Sequence, residues 1–160
     1  MGALTARVVT VSDRVSRGKA VDRSGPAAAD AIEKLGFAVD VVVVPDGVES
    51  VENALRDAVA TGANLVVTTG GTGMTRRDLT PEATLLVIER EAPGLAEAIR
   101  SSTFGSNPHG MLSRGVSGVV AETLIINLPG SVAGVTESLA VVGPALIHAV
   151  ELLQERPSLH

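Results

Sequence analysis

The sequence predicts an α/β fold, with a doubly wound, mostly parallel sheet and helices on both faces. Short runs rich in β-branched residues recur along the chain, and segments with a helical spacing of apolar residues lie between them. The length of 160 residues and the hydrophobic content of 45% suit one domain with a complete core. We therefore expect a single domain over residues 1–160.

The predicted strands are nearly continuous apolar runs at residues 7–11, 39–44, 65–69 and 124–127. Runs of this kind are typical of parallel strands that are buried on both faces. Single helices between such strands form βαβ crossovers, which favour parallel pairing. The sequence thus predicts a sheet in which these strands run in the same direction.

The helix starts are marked by hydroxyl residues and prolines. Ser24 lies shortly before Pro26 and Thr80 directly precedes Pro81, so each hydroxyl is expected to cap a helix. Ser131 is expected to cap a further helix.

Three other segments differ in how clearly they can be interpreted. Residues 48–60 place their apolar side chains on one face, which indicates an amphipathic helix. Pro144 is expected to open a final helix that ends near residue 153. Residues 104–120 are rich in Gly, Ser and Pro, and they fit a loop, a small hairpin or an edge strand.

The composition disfavours several classes of function. The chain has no cysteine, so a disulfide framework, a zinc–thiolate cluster and a thiolate nucleophile are excluded. The net charge of −5 and the near absence of aromatic residues disfavour nucleic-acid binding. The N-terminus does not resemble a secretory signal, and we expect no apolar run that approaches the roughly 20 residues needed to span a bilayer. We expect a cytoplasmic protein with no membrane partner.

Polar residues follow each predicted strand. Because ligands of open α/β sheets bind beyond the carboxyl ends of parallel strands, these residues are expected to converge on one pocket. They are Ser12, Asp13 and Arg14 after the first strand, Asp46 after the second, Gly70, Gly71, Thr72 and Gly73 after the third, and Pro129, Gly130 and Ser131 after the last.

The glycine-rich segment after the third strand has two interpretations. Glycines allow a positive φ and a close backbone approach, so successive N–H groups can turn toward an anion. The alternative is a tight strand-to-helix turn that serves packing alone. The segment is neither a Walker loop nor a dinucleotide-binding fingerprint.

Asp46 and Asp78 are the candidate carboxylates. A pair of carboxylates beside a nucleotide can hold Mg²⁺. Taken singly, Asp46 also fits a turn or capping residue, and Asp78 fits a solvated partner of Arg76 or Arg77. The arginines, among them Arg14, Arg77 and Arg114, are candidates for forked recognition of phosphate.

Several motifs together resemble the MoaB/Mog family of molybdenum-cofactor proteins, which includes the molybdopterin adenylyltransferases and the N-terminal domain of gephyrin. The longest is TGGTGMTRRDLTPEAT at residues 69–84. The others are VSDR at residues 11–14, DRSGP at 22–26, LSR at 112–114 and NLPGS at 127–131. They span nearly the whole chain in the order expected for this family.

The resemblance implies a molybdopterin-binding domain, usually a homotrimer, that transfers AMP from ATP to molybdopterin with Mg²⁺ present. The family's catalytic, metal-holding aspartates match Asp46 and Asp78. Its ligand-binding segments match the strand-end residues, together with Ser113 and Arg114. A separate molybdenum-insertion protein is the implied downstream partner.

Two rival functions remain open at this point. The first is a non-catalytic molybdopterin-binding carrier, and the second is a gephyrin-like scaffold subunit. The pair Asp46 and Asp78 favours the enzyme, because a carrier has no evident need for a metal-holding pair. The chain departs from many relatives at Ala20 and Val21, where they carry an aromatic residue.

Overall fold

The computed structural model describes residues 2–155. In chain order the strands are β1 (Thr5–Val11), β2 (Ala38–Val44), β3 (Leu65–Thr69), β4 (Arg90–Glu91), β5 (Ser117–Val120) and β6 (Thr123–Leu128). The helices are α1 (Asp13–Ser16), α2 (Ser24–Glu33), α3 (Val48–Ala60), α4 (Thr80–Val87), α5 (Pro93–Ser101) and α6 (Val132–Leu153), with a 3₁₀ helix over Pro108–Leu112.

The strands form one sheet in the order β2-β1-β3-β6-β5-β4. The four predicted strands are confirmed as β1, β2, β3 and β6, and all their pairings are parallel. Val8 in β1 lies opposite Val41 and Val67, and Val67 lies opposite Ile126. The carboxyl ends of these strands therefore share one edge of the sheet, as predicted.

Helices cover both faces of the sheet, which confirms the doubly wound architecture. Successive residues of β1 point to opposite faces, so Val8 joins a core with Ile32 of α2 and Leu146 of α6. Val9 joins a second core with Leu55 of α3 and neighbours from α4. The central strands β3 and β6 are buried along their whole length, because each has a strand on either side and helices on both faces.

Strand β2 departs from the predicted burial. The side chains of Val41 and Val43 are 38% and 39% exposed. The run is as apolar as that of β3, but β2 is the edge strand of the sheet. Position in the sheet, which the apolar run does not encode, decides the burial.

Helix α6 corrects the expected helix start at Pro144. The helix begins at Val132 and continues through Pro144 to Leu153 without a break. Val142, Gly143 and Leu146 lie buried on either side of the proline, so one apolar face crosses it. Packing of that face on the sheet and α2 outweighs the loss of one helical hydrogen bond.

The length of α6 also corrects the expectation that no apolar segment approaches the length needed to span a bilayer. Among residues 2–155, it is the helix whose length and composition would allow it to cross a bilayer, and 33% of its most apolar window is buried. A core helix passes the same test, and α6 contributes Val135, Leu139 and Leu146 to the core.

The segment 104–120, for which three interpretations were open, contains the 3₁₀ helix and one strand of a hairpin. Strand β5 pairs antiparallel with β6, and Ala121 in the connecting turn has φ +47°. The two-residue strand β4 pairs antiparallel with β5 and closes this side of the sheet. Neither β4 nor α5 was predicted.

One of the predicted helix caps is confirmed and two are wrong. The Ser131 hydroxyl accepts the Gly134 N–H at 3.0 Å at the start of α6. At α2 the cap is Asp22, which accepts the Gly25 N–H at 3.0 Å, while the Ser24 hydroxyl bonds the Thr69 hydroxyl. At α4 the Thr80 hydroxyl faces back toward the glycine-rich loop.

Candidate active site

The loops that follow β1, β2, β3 and β6 meet at the carboxyl edge of the sheet. Backbone bonds join them in pairs: Ser12 N–H donates to the Val44 carbonyl at 2.9 Å, and Gly70 N–H donates to the Leu128 carbonyl at 3.2 Å. The predicted convergence of strand-end loops is therefore present in the structure.

Asp13, Asp46 and Arg77 form one network at this edge. The Asp46 carboxylate accepts the Asp13 N–H at 2.9 Å, and the Asp13 carboxylate accepts the Asp46 N–H at 3.2 Å. The Arg77 guanidinium donates to both Asp13 carboxylate oxygens at 3.0 Å and to the Asp46 carbonyl at 2.7 Å. Arg77 is thus bonded to protein groups, and its predicted phosphate contact would involve its remaining donors.

The network shifts the two acids in opposite directions. Hydrogen bonds from Arg77 lower the pKa of Asp13 below its usual 3.8. Burial raises the pKa of Asp46 above 3.8, and the negative charges of Asp13 and Asp78 raise it further. The loops that carry Asp46 and Asp78 are in contact, because Arg77, the residue before Asp78, donates to the Asp46 carbonyl.

Asp78 lies at the end of the loop that carries Arg77. One carboxylate oxygen of Asp78 accepts the Thr75 N–H at 2.9 Å. A Cβ added to Gly73 would lie 3.0 Å from the same oxygen, so the loop is folded tightly around the carboxylate. This contact leaves the second oxygen of Asp78 without a hydrogen-bond donor among residues 2–155.

The first two glycines of the loop have the positive φ that the sequence predicts, +90° at Gly70 and +68° at Gly71. A Cβ at Gly70 would lie 2.5 Å from the Val11 carbonyl oxygen, and one at Gly71 would lie 2.2 Å from the Thr80 hydroxyl. These close approaches support the packing interpretation of this segment, and the Gly70 N–H donates to the Leu128 carbonyl. The anion-binding interpretation stays a prediction.

Thr80 ties the glycine loop to the start of α4. Its hydroxyl donates to the Gly70 carbonyl at 3.0 Å, and its N–H donates to the Gly71 carbonyl at 3.0 Å. The side chain is fully buried. These bonds explain why the hydroxyl does not cap its own helix.

A cavity of about 490 Å³ opens beside the glycine loop. Its lining includes five of the predicted binding residues, which are Thr72, Gly73, Ser113, Pro129 and Ser131. Further polar lining residues were not predicted: Arg100, Thr103, Asn107, His109 and Ser138. These come from α5, the segment after it and α6, and only tertiary folding brings them to the loop.

Two shallower depressions lie along the same edge. One, of about 550 Å³, is lined by Asp13, Asp46 and Arg77. The other, of about 380 Å³, is lined by residues that include Ser12, Gly70 and Gly130. The site residues that were predicted to converge on one pocket are therefore distributed over three hollows. Two of these border the glycine loop and the residues following β6, and the third is lined by Asp46.

Two predicted arginine contacts have different surroundings in the structure. Arg14 lies exposed in α1. Arg114 is half-buried and donates to the Gly73 carbonyl at 2.8 Å, the Asp78 carbonyl at 2.5 Å and the Glu82 carboxylate. Arg114 therefore bonds the protein itself where forked phosphate recognition was expected.

Two polar pairs that the site prediction omitted lie near the start of α2, Thr10 with Asp22 and Ser24 with Thr69. The Thr10 hydroxyl donates to Asp22 at 2.8 Å, and the Ser24 and Thr69 hydroxyls lie 2.9 Å apart. The DRSGP segment was a signal for both pairs, because it follows β1 and begins a helix beside β3.

A mostly parallel sheet with a glycine-rich turn and polar loops at its carboxyl edge defines an α/β protein of the class whose ligands bind beyond the strand ends. The chain belongs to the family described as the probable molybdopterin-binding domain, whose model matches residues 7–148.

The chain is similar to several members of this family. It is 35% identical to the molybdopterin adenylyltransferase of Escherichia coli K12, over 94% of this chain and 81% of that protein. It is 39% identical to gephyrin of Dictyostelium discoideum over 94% of this chain, but it spans only 22% of that longer protein. The solved structure of the molybdopterin biosynthesis Mog protein from Mycobacterium ulcerans is 39% identical, with a TM-score of 0.91 over 98% of this chain and 100% of that one.

Proposed function

We propose that this protein is a molybdopterin adenylyltransferase that transfers AMP from ATP to molybdopterin in the presence of Mg²⁺. The observation that carries the proposal is the placement of Asp46 and Asp78 at the carboxyl edge of the sheet, where Arg77, the residue before Asp78, donates to the Asp46 carbonyl at 2.7 Å. The similarity to proteins named molybdopterin adenylyltransferase supports the choice of substrates. The proposed site comprises the strand-end loops and the adjoining cavity.

The donor set at this pair fits Mg²⁺. One oxygen of Asp46 and one of Asp78 accept backbone N–H groups, and their other oxygens accept no hydrogen bond from residues 2–155. No cluster of three or more acidic, histidine or cysteine side chains suited to a metal occurs in that range. Mg²⁺ is commonly held by one or two carboxylates plus water and substrate phosphates, so two free carboxylate oxygens suffice.

Asp46 and Asp78 would hold Mg²⁺, which when bound would neutralise the negative charge that develops on the leaving pyrophosphate. An oxygen of the molybdopterin phosphate forms a bond to the α-phosphorus of ATP. The bond from that phosphorus to the bridging oxygen breaks, and pyrophosphate leaves with the electron pair. The protein contributes alignment and a preorganised polar edge, since this transfer requires no covalent intermediate with a side chain.

The cavity beside the glycine loop is the proposed pterin site. Its volume of about 490 Å³ lies within the range of small-molecule sites. Hydroxyl and amide side chains such as Thr103, Asn107 and Ser113 alternate in its lining with apolar ones such as Ile99 and Leu112. A flat, hydrogen-bonding heterocycle matches such a lining.

The test is pyrophosphate release from a mixture of protein, molybdopterin, ATP and Mg²⁺. Asp46→Asn and Asp78→Asn are each expected to lower the rate by about 100-fold or more, because a metal site contributes several kcal/mol to the barrier. Asp30→Asn is the matched control, since Asp30 lies exposed on α2 with Lys34 as its partner. Its rate should equal that of the unchanged protein.

Other outcomes would reject the proposal. Molybdopterin binding without pyrophosphate release would favour the non-catalytic carrier. If the double variant Asp46→Asn, Asp78→Asn releases pyrophosphate at the rate of the unchanged protein, these two residues have no role in the reaction. Because the chain has no Trp or Tyr, pterin fluorescence reports binding with little protein background.

The expected homotrimer is also part of the proposal. Helix α6 is long and apolar, yet only a third of its most apolar window is buried by this chain. Val141 and Leu152, which are eleven positions apart and so lie on the same face, are among its exposed apolar side chains. Burying such a face between subunits is favourable, so light scattering should give three times the monomer mass. A monomer mass would contradict this part of the proposal.

Two further expectations stay predictions. They are a cytoplasmic location and transfer of the product to a separate molybdenum-insertion protein.

A further inference from the structure

One side chain, that of Arg114, joins the two ends of the loop over residues 73–78. Arg114 Nε donates to the Gly73 carbonyl at 2.8 Å, and Arg114 Nη2 donates to the Asp78 carbonyl at 2.5 Å. The Arg114 N–H also donates to the Thr72 carbonyl at 2.9 Å. A residue about forty positions further along the chain thus joins the first and last residues of the loop.

Arg114 has a second anchor on α4. Its Nη1 donates to the carboxylate of Glu82, in the first turn of the helix that follows the loop. This guanidinium lowers the pKa of Glu82, so the carboxylate stays ionised around neutral pH. All three nitrogens of the guanidinium therefore have acceptors within the protein. Two of these acceptors are carbonyls of the loop, and the third is the Glu82 carboxylate.

The closed loop positions the acids of the proposed site. Asp78 is its last residue, and its carboxylate accepts the Thr75 N–H within the same loop. Arg77, one residue earlier, reaches across to Asp13 and to the Asp46 carbonyl. Loss of the Arg114 hydrogen bonds to the Gly73 and Asp78 carbonyls would therefore affect Asp46 as well as Asp78.

We propose that Arg114 is a positioning residue, which closes the loop so that Asp78 faces Asp46 and which does not itself bind substrate phosphate. The inference rests on the proposed function for its consequences in catalysis, and on the hydrogen bonds alone for the loop. A planar fork reaches two carbonyls and a carboxylate at once, whereas a lysine ammonium is a single point that cannot span them.

The variant that tests this is Arg114→Lys, with Arg56→Lys as a matched control. Arg56 also donates to a glutamate, Glu52, and to a carbonyl, that of Leu86, but it lies outside the site. The first measurement is hydrogen exchange of the ligand-free protein. Within residues 74–78 the amides of Thr75 and Asp78 have hydrogen-bond acceptors, and in Arg114→Lys these two should exchange at least tenfold faster, while those of α6 keep their rates. Arg56→Lys should leave residues 74–78 unchanged.

The second measurement is the Mg²⁺ dependence of pyrophosphate release. Arg114→Lys should raise the half-saturating Mg²⁺ concentration and lower kcat, each at least tenfold, and should leave the KM for molybdopterin within twofold. A residue that bound substrate phosphate directly would instead raise a substrate KM without faster loop exchange, and that result would overturn the proposal. Unchanged exchange and unchanged Mg²⁺ dependence would also overturn it.

The two proposals fail separately. If the unchanged protein releases no pyrophosphate, the proposed function is wrong, and loop exchange still decides the role of Arg114. If Arg114→Lys does not fold, Glu82→Gln provides the second variant, because it removes the charged partner and keeps Arg114. In Glu82→Gln the hydrogen-bonded amides within residues 74–78 should exchange faster than in the unchanged protein, by a smaller factor than in Arg114→Lys. Exchange at the original rate would show that Glu82 does not anchor Arg114.

Discussion

Asp13 and Asp46 cap each other's backbone: a carboxylate oxygen of each accepts the N–H of the other, at 2.9 Å to Asp46 and 3.2 Å to Asp13. These two hydrogen bonds join the residues that follow β1 and β2, two strands that are neighbours in the sheet. It leaves Asp46 half-buried beside two further negative charges, those of Asp13 and Asp78. Several measurable consequences follow from this arrangement and from the loops around it.

The first prediction concerns the pKa of Asp46. Burial and the charges of Asp13 and Asp78 raise it above 3.8, so removal of one charge in Asp78→Asn should lower it. Titration followed by the ¹³C shift of the Asp46 carboxyl group measures this directly. Asp30→Asn should leave the Asp46 pKa unchanged. An equal pKa in Asp78→Asn would show that the two acids do not share a site.

The second prediction is the pH dependence of stability at the same residue. Because the folded pKa of Asp46 is raised, its contribution is fully present below the unfolded value near 3.8 and is lost as pH rises through the folded pKa. The melting temperature of Asp46→Asn, minus that of the unchanged protein, should therefore increase as the pH rises from 4 to 7. Thermal melts across this range test the sign, and a gain largest at pH 4 would contradict it.

The third prediction concerns the two reasons for glycine at position 71. Gly71 and Gly18 have nearly equal φ, +68° and +71°, but a Cβ meets the Thr80 hydroxyl at 2.2 Å only at Gly71 and has open space at Gly18. Gly18→Ala should cost about 1 kcal/mol from the backbone alone. Gly71→Ala should cost about 1–3 kcal/mol more, because the Cβ overpacks a buried contact. Urea unfolding of both variants separates the terms, and equal losses would contradict the packing argument.

The fourth prediction concerns the cap of α2. Asp22→Ala should lower the free energy of unfolding by about 1–2 kcal/mol, because the Gly25 N–H loses its acceptor and the buried Thr10 hydroxyl loses its partner. Asp22→Asn keeps an acceptor for Gly25 and should retain most of the stability. Urea unfolding provides the measurement. Equal losses in both variants would indicate that the charge, and not the cap, is the stabilising feature.

Much of the fold could be read from local patterns. The runs at residues 65–69 and 124–127 are mostly apolar and are buried throughout, as expected for strands in the interior of a sheet with helices on both faces. Ser131 was recognisable as a cap because its bond is to a residue only three positions away. Alternation of these elements led to the parallel edge, and with it to Asp46, Asp78 and the glycine loop as neighbours.

Features that depend on distant residues could not be read in this way. The hydroxyls of Ser24 and Thr80 have the spacing of caps, but each bonds a strand-end residue that only the folded chain brings near. Pro144 has the sequence signature of a helix start, yet the buried face that continues across it belongs to a core shared with α2 and the sheet.

The sequence by itself therefore determined the four parallel strands and the loops at their carboxyl ends, because these depend on short-range periodicity and on the shared edge of parallel strands. Tertiary structure alone decided how the polar groups at that edge are paired. Arg114 has the chemistry of a phosphate ligand in isolation, but in the folded chain two loop carbonyls and Glu82 occupy its donors. Hydrogen-bond partners are chosen by three-dimensional proximity, which no local pattern encodes.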